Sequence, residues 1–311
     1  MIEVIDLCKN YGDRKAIQNL NFKISTGDVV GLLGPNGAGK STTMKILTGF
    51  MAPTSGVARI CGFDVFENPI EVKKRIGYLP EIPPVYLDMT IRDYLNFVFD
   101  LKQVDPKYKN DFVAKSLQKT QLIDVQKRYI KNLSKGYKQR VGIAQALVSD
   151  PEVLILDEPT VGLDPKQVAE VRELIKELRG QHTIILSTHI LSEVQATCNK
   201  VIIIHEGRIV AQDDIDKIEK LNQGSMTISV RTKLDKSLEN QFKKVNSIVD
   251  IEKVTGTYYR LKFSSRDLAL DDLAHIILES GAGLVEISPQ NENLEDVFLK
   301  LTYGDQKDVQ T

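Results

Sequence analysis

The sequence has few cysteines and no excess of either charge. Its three cysteines lie far apart and lack the spacing of a zinc site; they are Cys8, Cys61 and Cys198. Isolated thiols of this kind are typical of a cytosolic protein that keeps them reduced. The 41 basic and 42 acidic side chains leave a formal net charge of -1. This balance gives no global attraction to nucleic acid, and we expect no nucleic-acid partner.

The sequence also lacks long apolar runs. A run such as 201–204 stays far below the roughly 18 residues that indicate a membrane span. The acidic start over 1–6 contains no signal-peptide pattern. We therefore expect a soluble chain, and any role at a membrane must come through a partner.

The length of 311 residues suits about two domains. Over 1–220, short apolar strands alternate with amphipathic helices, which predicts an α/β domain with a mostly parallel sheet covered by helices. The strand signal disappears over about 86–150, and this stretch is predicted to be a helical subdomain. Thr90 is predicted to cap its first helix, with Asp93 as the acid of a capping box.

After about residue 221 the pattern changes to half-buried strands. A hairpin signal around Gly256 and two helical stretches, 238–245 and 268–278, give the order strand-helix-strand-strand-helix-strand. This order predicts a small α+β, ferredoxin-like domain over 221–303. A closing helix is predicted over 294–301, followed by a polar tail over 304–311 that is expected to fray.

A glycine-rich sequence follows a short buried strand and precedes a helix. It fits the phosphate-loop pattern, and with the next residue it comprises Gly34, Pro35, Asn36, Gly37, Ala38, Gly39, Lys40, Ser41 and Thr42. Glycines let backbone N–H groups point at phosphate oxygens, and the helix offers the positive end of its dipole. Lys40 can reach the β- and γ-phosphates, and the Ser41 hydroxyl can ligate Mg²⁺. The loop predicts a nucleoside triphosphate site rather than a turn that binds nothing.

Two carboxylates end a later apolar strand, and a histidine follows another. Asp157 stands where an acid holds Mg²⁺ in a phosphate-loop fold, commonly through water. Glu158 needs no metal contact and can act as general base on the attacking water. His189 can donate to the γ-phosphate. On local pattern alone, a solvated strand end and a structural histidine are the alternatives.

A second anion site is predicted where an apolar helix begins within 133–140. Ser134 is placed to cap this helix, so its hydroxyl and the first helical N–H groups can bind phosphate. Gly136 lies in the same first turn. A plain helix cap would show the same local pattern.

The ordered set of these sequences resembles the nucleotide-binding subunit of an ABC ATPase. The resemblance covers about residues 1–220 and implies a phosphate-loop NTPase fold of the ABC type. It makes 34–41 the Walker A loop, 133–137 the signature motif, and Asp157 and Glu158 the end of Walker B.

The same resemblance implies roles for single residues. It makes 161–164 the D-loop, His189 the switch histidine and Tyr11 the aromatic residue that stacks on adenine. A tyrosine in a surface turn would look the same as Tyr11. Lys40, Glu158 and His189 are the implied catalytic residues.

The sequence departs from the family pattern in three places. Glu81 stands where the family has a glutamine; its carboxylate can still contact Mg²⁺ but adds negative charge beside a triphosphate. In the signature motif, Lys135 replaces a glycine and Tyr137 replaces a glutamine. Val161 stands where the D-loop has a serine, and valine has no hydroxyl to make a contact across a dimer.

These departures and the C-terminal domain resemble one subgroup, the ATPases of ABC-2 type exporters, including those linked to gliding motility. The resemblance implies an Mg²⁺-dependent ATPase that uses ATP, with Ser41, Asp157 and Glu81 as metal contacts. Two copies, or one copy and a homologous subunit, are expected to sandwich two ATP molecules. Ser134 and Gly136 of each would then face the Walker A loop of the other.

The same subgroup sets the expected location and partner. In it the permease is a separate integral membrane protein, so we expect this chain at the cytoplasmic face of the cell membrane, coupling ATP hydrolysis to export. For the C-terminal domain, a packing or dimerising role is favoured over a ligand sensor.

Two other classes of protein are the competing interpretations. A soluble ABC ATPase that acts on ribosomes or DNA usually has two ATPase halves or a long coiled-coil insertion, and this sequence shows neither. A phosphate-loop GTPase usually recognises its base with Asn-Lys-x-Asp. The segment 199–202 lacks the acid, and a signature helix would have no explanation in a GTPase.

Overall fold

The chain divides into two compact units, Met1–Ile215 and Asp216–Thr311. The computed structural model describes residues 1–215, 217, 226–243, 245, 247–263 and 270–290. The predicted closing helix over 294–301 and the predicted tail over 304–311 lie outside the described residues.

The first unit alternates strands and helices along the chain. Its strands are β1 (Ile2–Tyr11), β2 (Arg14–Ile24), β3 (Val29–Leu33), β4 (Ser55–Ile60), β5 (Phe63–Asp64), β6 (Ile76–Leu79), β7 (Val153–Asp157), β8 (Thr183–Thr188), β9 (Lys200–His205) and β10 (Arg208–Asp214). Its helices are α1 (Lys40–Leu47), α2 (Pro69–Arg75), α3 (Ile91–Leu101), α4 (Lys109–Lys119), α5 (Lys135–Leu147), α6 (Pro165–Leu178) and α7 (Leu191–Thr197).

Six of these strands form one mostly parallel sheet. Their order is β10-β9-β3-β8-β7-β6, and β10 at the edge runs antiparallel to β9. The strands β3, β7 and β8 are buried along their whole length. Parallel strands have this character when helices cover both faces of the sheet. The predicted parallel sheet is confirmed for this part of the fold.

A second sheet is antiparallel, with the order β2-β1-β4-β5. The sequence pattern does not predict it, and it stands beside the mostly parallel sheet that was expected. In β2, the buried side chains of Leu20, Phe22 and Ile24 alternate with exposed ones. This period of two marks a strand with one solvated face. The strand–helix alternation of the rest of the domain concealed this signal.

The two sheets share one apolar core with α1. The antiparallel sheet contributes Ile2 and Leu20, the parallel sheet contributes Leu32 and Ile155, and α1 contributes Met44. Each of these side chains is fully buried, and burial of a side chain of this size stabilises the fold by about 2 kcal/mol. Because β3 and α1 are both held in this core, the loop between them has fixed ends.

The stretch predicted to be helical contains α3, α4 and α5. These helices have their own apolar core, which includes Tyr94, Phe99 and Val141. Thr90 caps α3 as predicted, because its hydroxyl accepts from the Asp93 N–H at 3.2 Å. The same hydroxyl donates to the Asp93 carboxylate at 2.6 Å. In a full capping box the acid would instead accept from the backbone N–H of the cap residue.

The second unit has the predicted order of elements. These are β11 (Met226–Thr232), α8 (Glu239–Phe242), β12 (Ile248–Thr255), β13 (Tyr258–Phe263), α9 (Leu270–Glu279) and β14 (Leu284–Gln290). The strands pair in the order β12-β13-β11-β14, and every pair is antiparallel. This arrangement is the ferredoxin-like fold that the sequence predicts. Its first helix, α8, is shorter than the predicted 238–245.

None of the helices in the described segments is both long and apolar enough to cross a membrane.

Candidate functional site

The glycine-rich loop joins β3 to α1 at the carboxyl end of the parallel sheet. Gly39 is the N-cap of α1 and has φ 110°, a conformation that side chains with a Cβ rarely adopt. A Cβ at this position would also lie 2.7 Å from the Ala16 carbonyl oxygen. Within the loop, the Ala38 N–H donates to the Pro35 carbonyl at 3.2 Å. The turn therefore requires glycine where the sequence has it.

A cleft of about 350 Å³ opens above this loop. It is lined by Tyr11, Arg14, Ala16, Asn36, Gly37, Gly39, Lys40, Ser41, Thr42, Glu81, Glu158, Val161 and His189. Ten of the residues predicted from the sequence thus meet in one cleft. The loop residues Gly34, Pro35 and Ala38 are not among the lining residues.

Lys40 is almost fully buried at the base of the cleft. Its Nζ donates to the carbonyl oxygens of Gly34 at 2.8 Å and Pro35 at 3.2 Å. The same nitrogen lies 3.5 Å from Glu158 Oε1. The Lys40 ammonium is thus held mainly by neutral carbonyl oxygens, which anionic oxygens can displace.

Asp157 ends β7 and faces the start of α1. Its Oδ1 accepts from the Ser41 hydroxyl at 3.2 Å and from the Ser187 hydroxyl. Burial, with the charge of Asp157 nearby, raises the pKa of Tyr78 to about 12. The two hydroxyl donors hold the Asp157 carboxylate toward Ser41.

A divalent cation at this place would have to share its ligands with a substrate. Within the described ranges, no group of three or more His, Cys, Asp or Glu side chains is arranged to hold a metal ion. Mg²⁺ prefers hard oxygen ligands and is commonly bound by one or two protein groups together with substrate phosphates. The oxygen pair of Ser41 and Asp157 fits that mode of binding.

Glu158 and His189 form a hydrogen-bonded pair on one wall of the cleft. His189 Nδ1 lies 3.0 Å from Glu158 Oε2. The backbone N–H of Glu158 donates to the carbonyl oxygen of Ser187 at 3.2 Å and to its hydroxyl at 3.0 Å. Glu158 has φ 49°, which is unusual for a residue with a side chain and is kept only where the surroundings fix it.

Arg14 is a cleft residue that sequence reasoning missed. It pairs with Tyr11 across the β1–β2 hairpin, and a Cβ on Gly37 would lie 3.9 Å from its Nη2. Within the described part of the chain, the Arg14 guanidinium makes no hydrogen bond or ion pair. The turn at Gly12 and Asp13 was the available signal, because a tight hairpin places the residues on either side of it together.

The two other polar residues at the mouth are more exposed. Tyr11 lies at the rim, and its hydroxyl contacts Met51 Sδ at 2.9 Å. Glu81 follows β6 and lines the cleft. In the part of the chain that the structure describes, Glu81 has no hydrogen bond or ion pair, so its carboxylate adds uncompensated negative charge at the mouth.

Ser134 and Gly136 lie outside this cleft. The Ser134 hydroxyl caps α5 by accepting from the Tyr137 N–H at 3.4 Å, as predicted. A Cβ on Gly136 would lie 2.4 Å from the Gln167 side chain on α6. Within one chain, the two predicted anion-binding sites, the glycine-rich loop and the start of α5, are therefore separate.

Known proteins share this arrangement of sequence and fold. The family model described as ABC transporter matches residues 17–161. The bacitracin transport ATP-binding protein of Bacillus licheniformis is 36% identical over 308 residues, which cover 98% of this chain and 98% of that protein. The chain belongs to the ABC transporter family. It is an ATP-binding subunit with ATPase activity, and the GTPase interpretation is not supported.

Other members of the ABC transporter family match over most of the chain. The Nod factor export ATP-binding protein I of Paraburkholderia xenovorans (strain LB400) is 31% identical and covers 99% of this chain and 98% of that protein. A solved ATP-binding subunit of an ABC transporter has a TM-score of 0.65 at 31% identity, over 71% of this chain and 92% of that chain. The dimeric structure of MJ0796, a bacterial ABC transporter cassette, has a TM-score of 0.63 at 24% identity, over 69% of this chain and 98% of that chain. The last comparison shows the fold alone. None of these names refers to ribosomes or DNA, and that alternative is not supported.

Proposed function

We propose that this ABC ATPase dimerises around two ATP molecules and powers export through a separate membrane permease. The proposal rests on the separation, within one chain, of the two predicted anion-binding sites. The cleft holds the Walker A loop with Glu158 and His189, whereas Ser134 and Gly136 lie outside it. A site divided in this way is completed by a second molecule.

The chain's own cations would bind the triphosphate. Lys40 at the base of the cleft would exchange part of its carbonyl contacts for β- and γ-phosphate oxygens. Arg14, beside Gly37, would add a guanidinium that can bind phosphate with two N–H groups. Tyr11 at the rim would stack on the adenine. Ser41 and Asp157 would hold Mg²⁺, which would supply positive charge against the phosphates.

Glu158 is the proposed general base. A carboxylate in this position would accept a proton from the water that attacks the γ-phosphorus. The hydrogen bond of 3.0 Å to His189 fixes the orientation of the Glu158 carboxylate. In its protonated form, in which both ring nitrogens carry a proton, His189 would keep the Nδ1 bond to Glu158 and donate from the other ring nitrogen to the γ-phosphate as charge develops there.

The signature helix is attached to the loop that carries the base. Gln139 on α5 is buried, and its Nε2 donates to the Pro159 carbonyl at 2.8 Å. In the proposed dimer, Ser134 at the start of α5 would contact the partner's ATP, while Pro159 follows Glu158 of its own site. Binding at one site is thereby linked to the loop of the other.

The test of the base is the substitution Glu158→Gln. It should abolish phosphate release and accumulate an ATP-bound dimer, seen by size-exclusion chromatography with light scattering. Glu177→Gln is a matched control, because it makes the same chemical change at an exposed site on α6. Phosphate release at the wild-type rate by Glu158→Gln would exclude Glu158 as the base.

The relatives support a role in export at the membrane. Their names assign transport of bacitracin and lantibiotics and export of Nod factor to those proteins. We infer that this chain is the peripheral ATPase of an ABC-2 type exporter, similar to the gliding-motility subgroup, at the cytoplasmic face of the membrane. The proposed ATPase domain spans 1–220 with a helical subdomain over about 86–150, and the accessory domain spans 221–303. Purification from membranes should recover an integral permease with it, and recovery of the chain alone would contradict this assignment.

A further inference from the structure

A buried carboxylate joins the two chain segments that carry Glu158 and His189. Glu193 on α7 is only 3% exposed. Its Oε1 accepts from the Thr160 hydroxyl, and its Oε2 accepts from the Thr188 hydroxyl at 2.6 Å. Thr160 is two residues after Glu158, and Thr188 immediately precedes His189. One side chain is therefore bonded to both segments.

The two threonines also take part in the turns around them. The Thr188 hydroxyl accepts from the Ile190 N–H at 3.0 Å, and the Thr160 carbonyl accepts from the Leu163 N–H at 3.2 Å. Each threonine thus couples the Glu193 carboxylate to the backbone of its own turn. A shift of this carboxylate would move both turns.

Burying a carboxylate is costly, and here it is only partly compensated by opposite charge. Its ion-pair partner is Arg172, whose Nη2 lies 4.0 Å from Glu193 Oε1. The remaining stabilisation comes from the two hydroxyl donors. An apolar side chain of similar size would fill the same space without this cost, so the position requires a side chain that hydrogen-bonds in two directions.

These bonds maintain an unusual backbone conformation at Glu158 and a short distance from Glu158 to His189. Glu158 has a positive φ, and its carboxylate must stay within hydrogen-bonding distance of His189. Strained residues of this kind persist because neighbouring contacts leave them no alternative. The turn after Glu158 is closed by the Val161 N–H, which donates to the Glu158 carbonyl at 3.2 Å. Glu193 holds this turn at Thr160.

We propose that Glu193 is a positioning residue for ATP hydrolysis. Through Thr160 and Thr188, its carboxylate sets the distance between Glu158 and His189. It contacts neither ATP nor the attacking water. The inference rests on the proposed roles of Glu158 and His189 and adds a residue that acts through both.

The test compares Glu193→Ala with Asp28→Ala in the full chain. Asp28 is a suitable control because its carboxylate is also largely buried and bonded, to Lys200 at 2.7 Å and Asn199 at 3.0 Å. It lies before β3, at the end of the sheet opposite the cleft. Both substitutions should lower the melting temperature, measured by circular dichroism. If Glu193 positions the base, its variant should also have a kcat lower by roughly 10- to 100-fold, with KM for ATP changed by less than about twofold.

Two further variants change the same hydrogen bonds in other ways. Glu193→Gln retains an acceptor for one threonine and a donor to the other, so it should keep kcat within about threefold of wild type. The double variant Thr160→Val/Thr188→Val removes the same bonds while keeping side-chain volume, and it should reproduce the loss in kcat if Glu193→Ala does not fold. A kcat for Glu193→Ala within twofold of the Asp28→Ala value overturns the proposal, as does a wild-type kcat for the double valine variant.

A further substitution separates this inference from the proposed function. His189→Ala and Glu193→Ala should be non-additive, because loss of either disturbs the same pair. If Glu158→Gln is inactive while Glu193→Ala hydrolyses ATP normally, the positioning role fails and the proposed function stands. If Glu158→Gln is fully active, Glu158 is not the base, and the proposed function fails together with the positioning role that rests on it.

Discussion

Replacing Lys40 by methionine removes the positive charge from the base of the cleft and leaves the Glu158 carboxylate without its cation. The side chains of Lys40 and Glu158 are 6% and 10% exposed, and their charged atoms lie 3.5 Å apart. At an effective dielectric constant of about 20, two unit charges at this distance attract by about 5 kcal/mol. Desolvation offsets most of this attraction, so we expect a net coupling of about 2 kcal/mol.

The single variant should lose more than this net coupling. Removing one member of a buried pair leaves the other charge uncompensated, which costs about 3 kcal/mol. Lys40→Met should therefore lower the free energy of unfolding of the ATPase unit by about this amount. Glu158→Gln should be milder, because Lys40 keeps its bonds to the Gly34 and Pro35 carbonyls.

A double-mutant cycle measures the coupling directly. Urea unfolding should be followed by far-ultraviolet circular dichroism, because the sequence contains no tryptophan for fluorescence. Lys40→Met should cost about 2 kcal/mol less in the Glu158→Gln background than in the wild type. Equal costs in the two backgrounds, within about 0.5 kcal/mol, would show that the two side chains do not interact.

Three further predictions concern other parts of the molecule. Arg14→Ala should weaken ATP binding by roughly tenfold and AMP binding far less, because a guanidinium beside Gly37 acts on the terminal phosphates; equal losses for ATP and AMP in equilibrium titrations would contradict this. Burial and the charge of Lys73 lower the pKa of Lys102 from 10.5 to about 8. Between these two pKa values the unfolded chain binds more protons than the folded one, so the free energy of unfolding should rise with pH over this window. Lys102→Met should flatten this rise. An unchanged pH profile would exclude Lys102 as its source. Deletion of the chain after residue 221 should weaken dimerisation, measured by sedimentation, if the C-terminal domain has the predicted dimerising role; unchanged dimerisation and ATPase rate would remove that role.

The sequence predicts well where structure depends on neighbouring residues. The glycine-rich loop, the caps at Thr90 and Ser134 and the hairpin around Gly256 are all local, and the structure contains each of them. The order of elements in the second unit also follows from local periodicity. From that order, only one familiar antiparallel sheet is compatible with short connections.

The sequence predicts poorly where structure depends on contacts between distant segments. The antiparallel sheet of the first unit pairs β1 with β4, and no local pattern gives that pairing. Glu193 reaches Thr160 across 33 residues, so its function in the network is visible only in three dimensions. Arg14 falls between these cases. The hairpin that carries it can be predicted from the sequence, but the approach of its guanidinium to Gly37 cannot.

The separation of the cleft from the signature helix has a direct mechanistic consequence. In one chain, Lys40 and Ser134 cannot act on the same ATP, so a variant lacking either should be inactive as a homodimer. A mixed dimer of the two variants would contain one site in which both residues are intact.

The shared ATP site can be tested by mixing two inactive variants, Lys40→Ala and Ser134→Arg, and measuring phosphate release. If each ATP site combines the cleft of one copy with Ser134 of the other, the mixture should regain about a quarter of the wild-type activity, because half the dimers are mixed and each has one intact site. If the cleft and Ser134 of the same chain formed the site, the mixture would remain as inactive as its components, and the account of a shared site would be wrong.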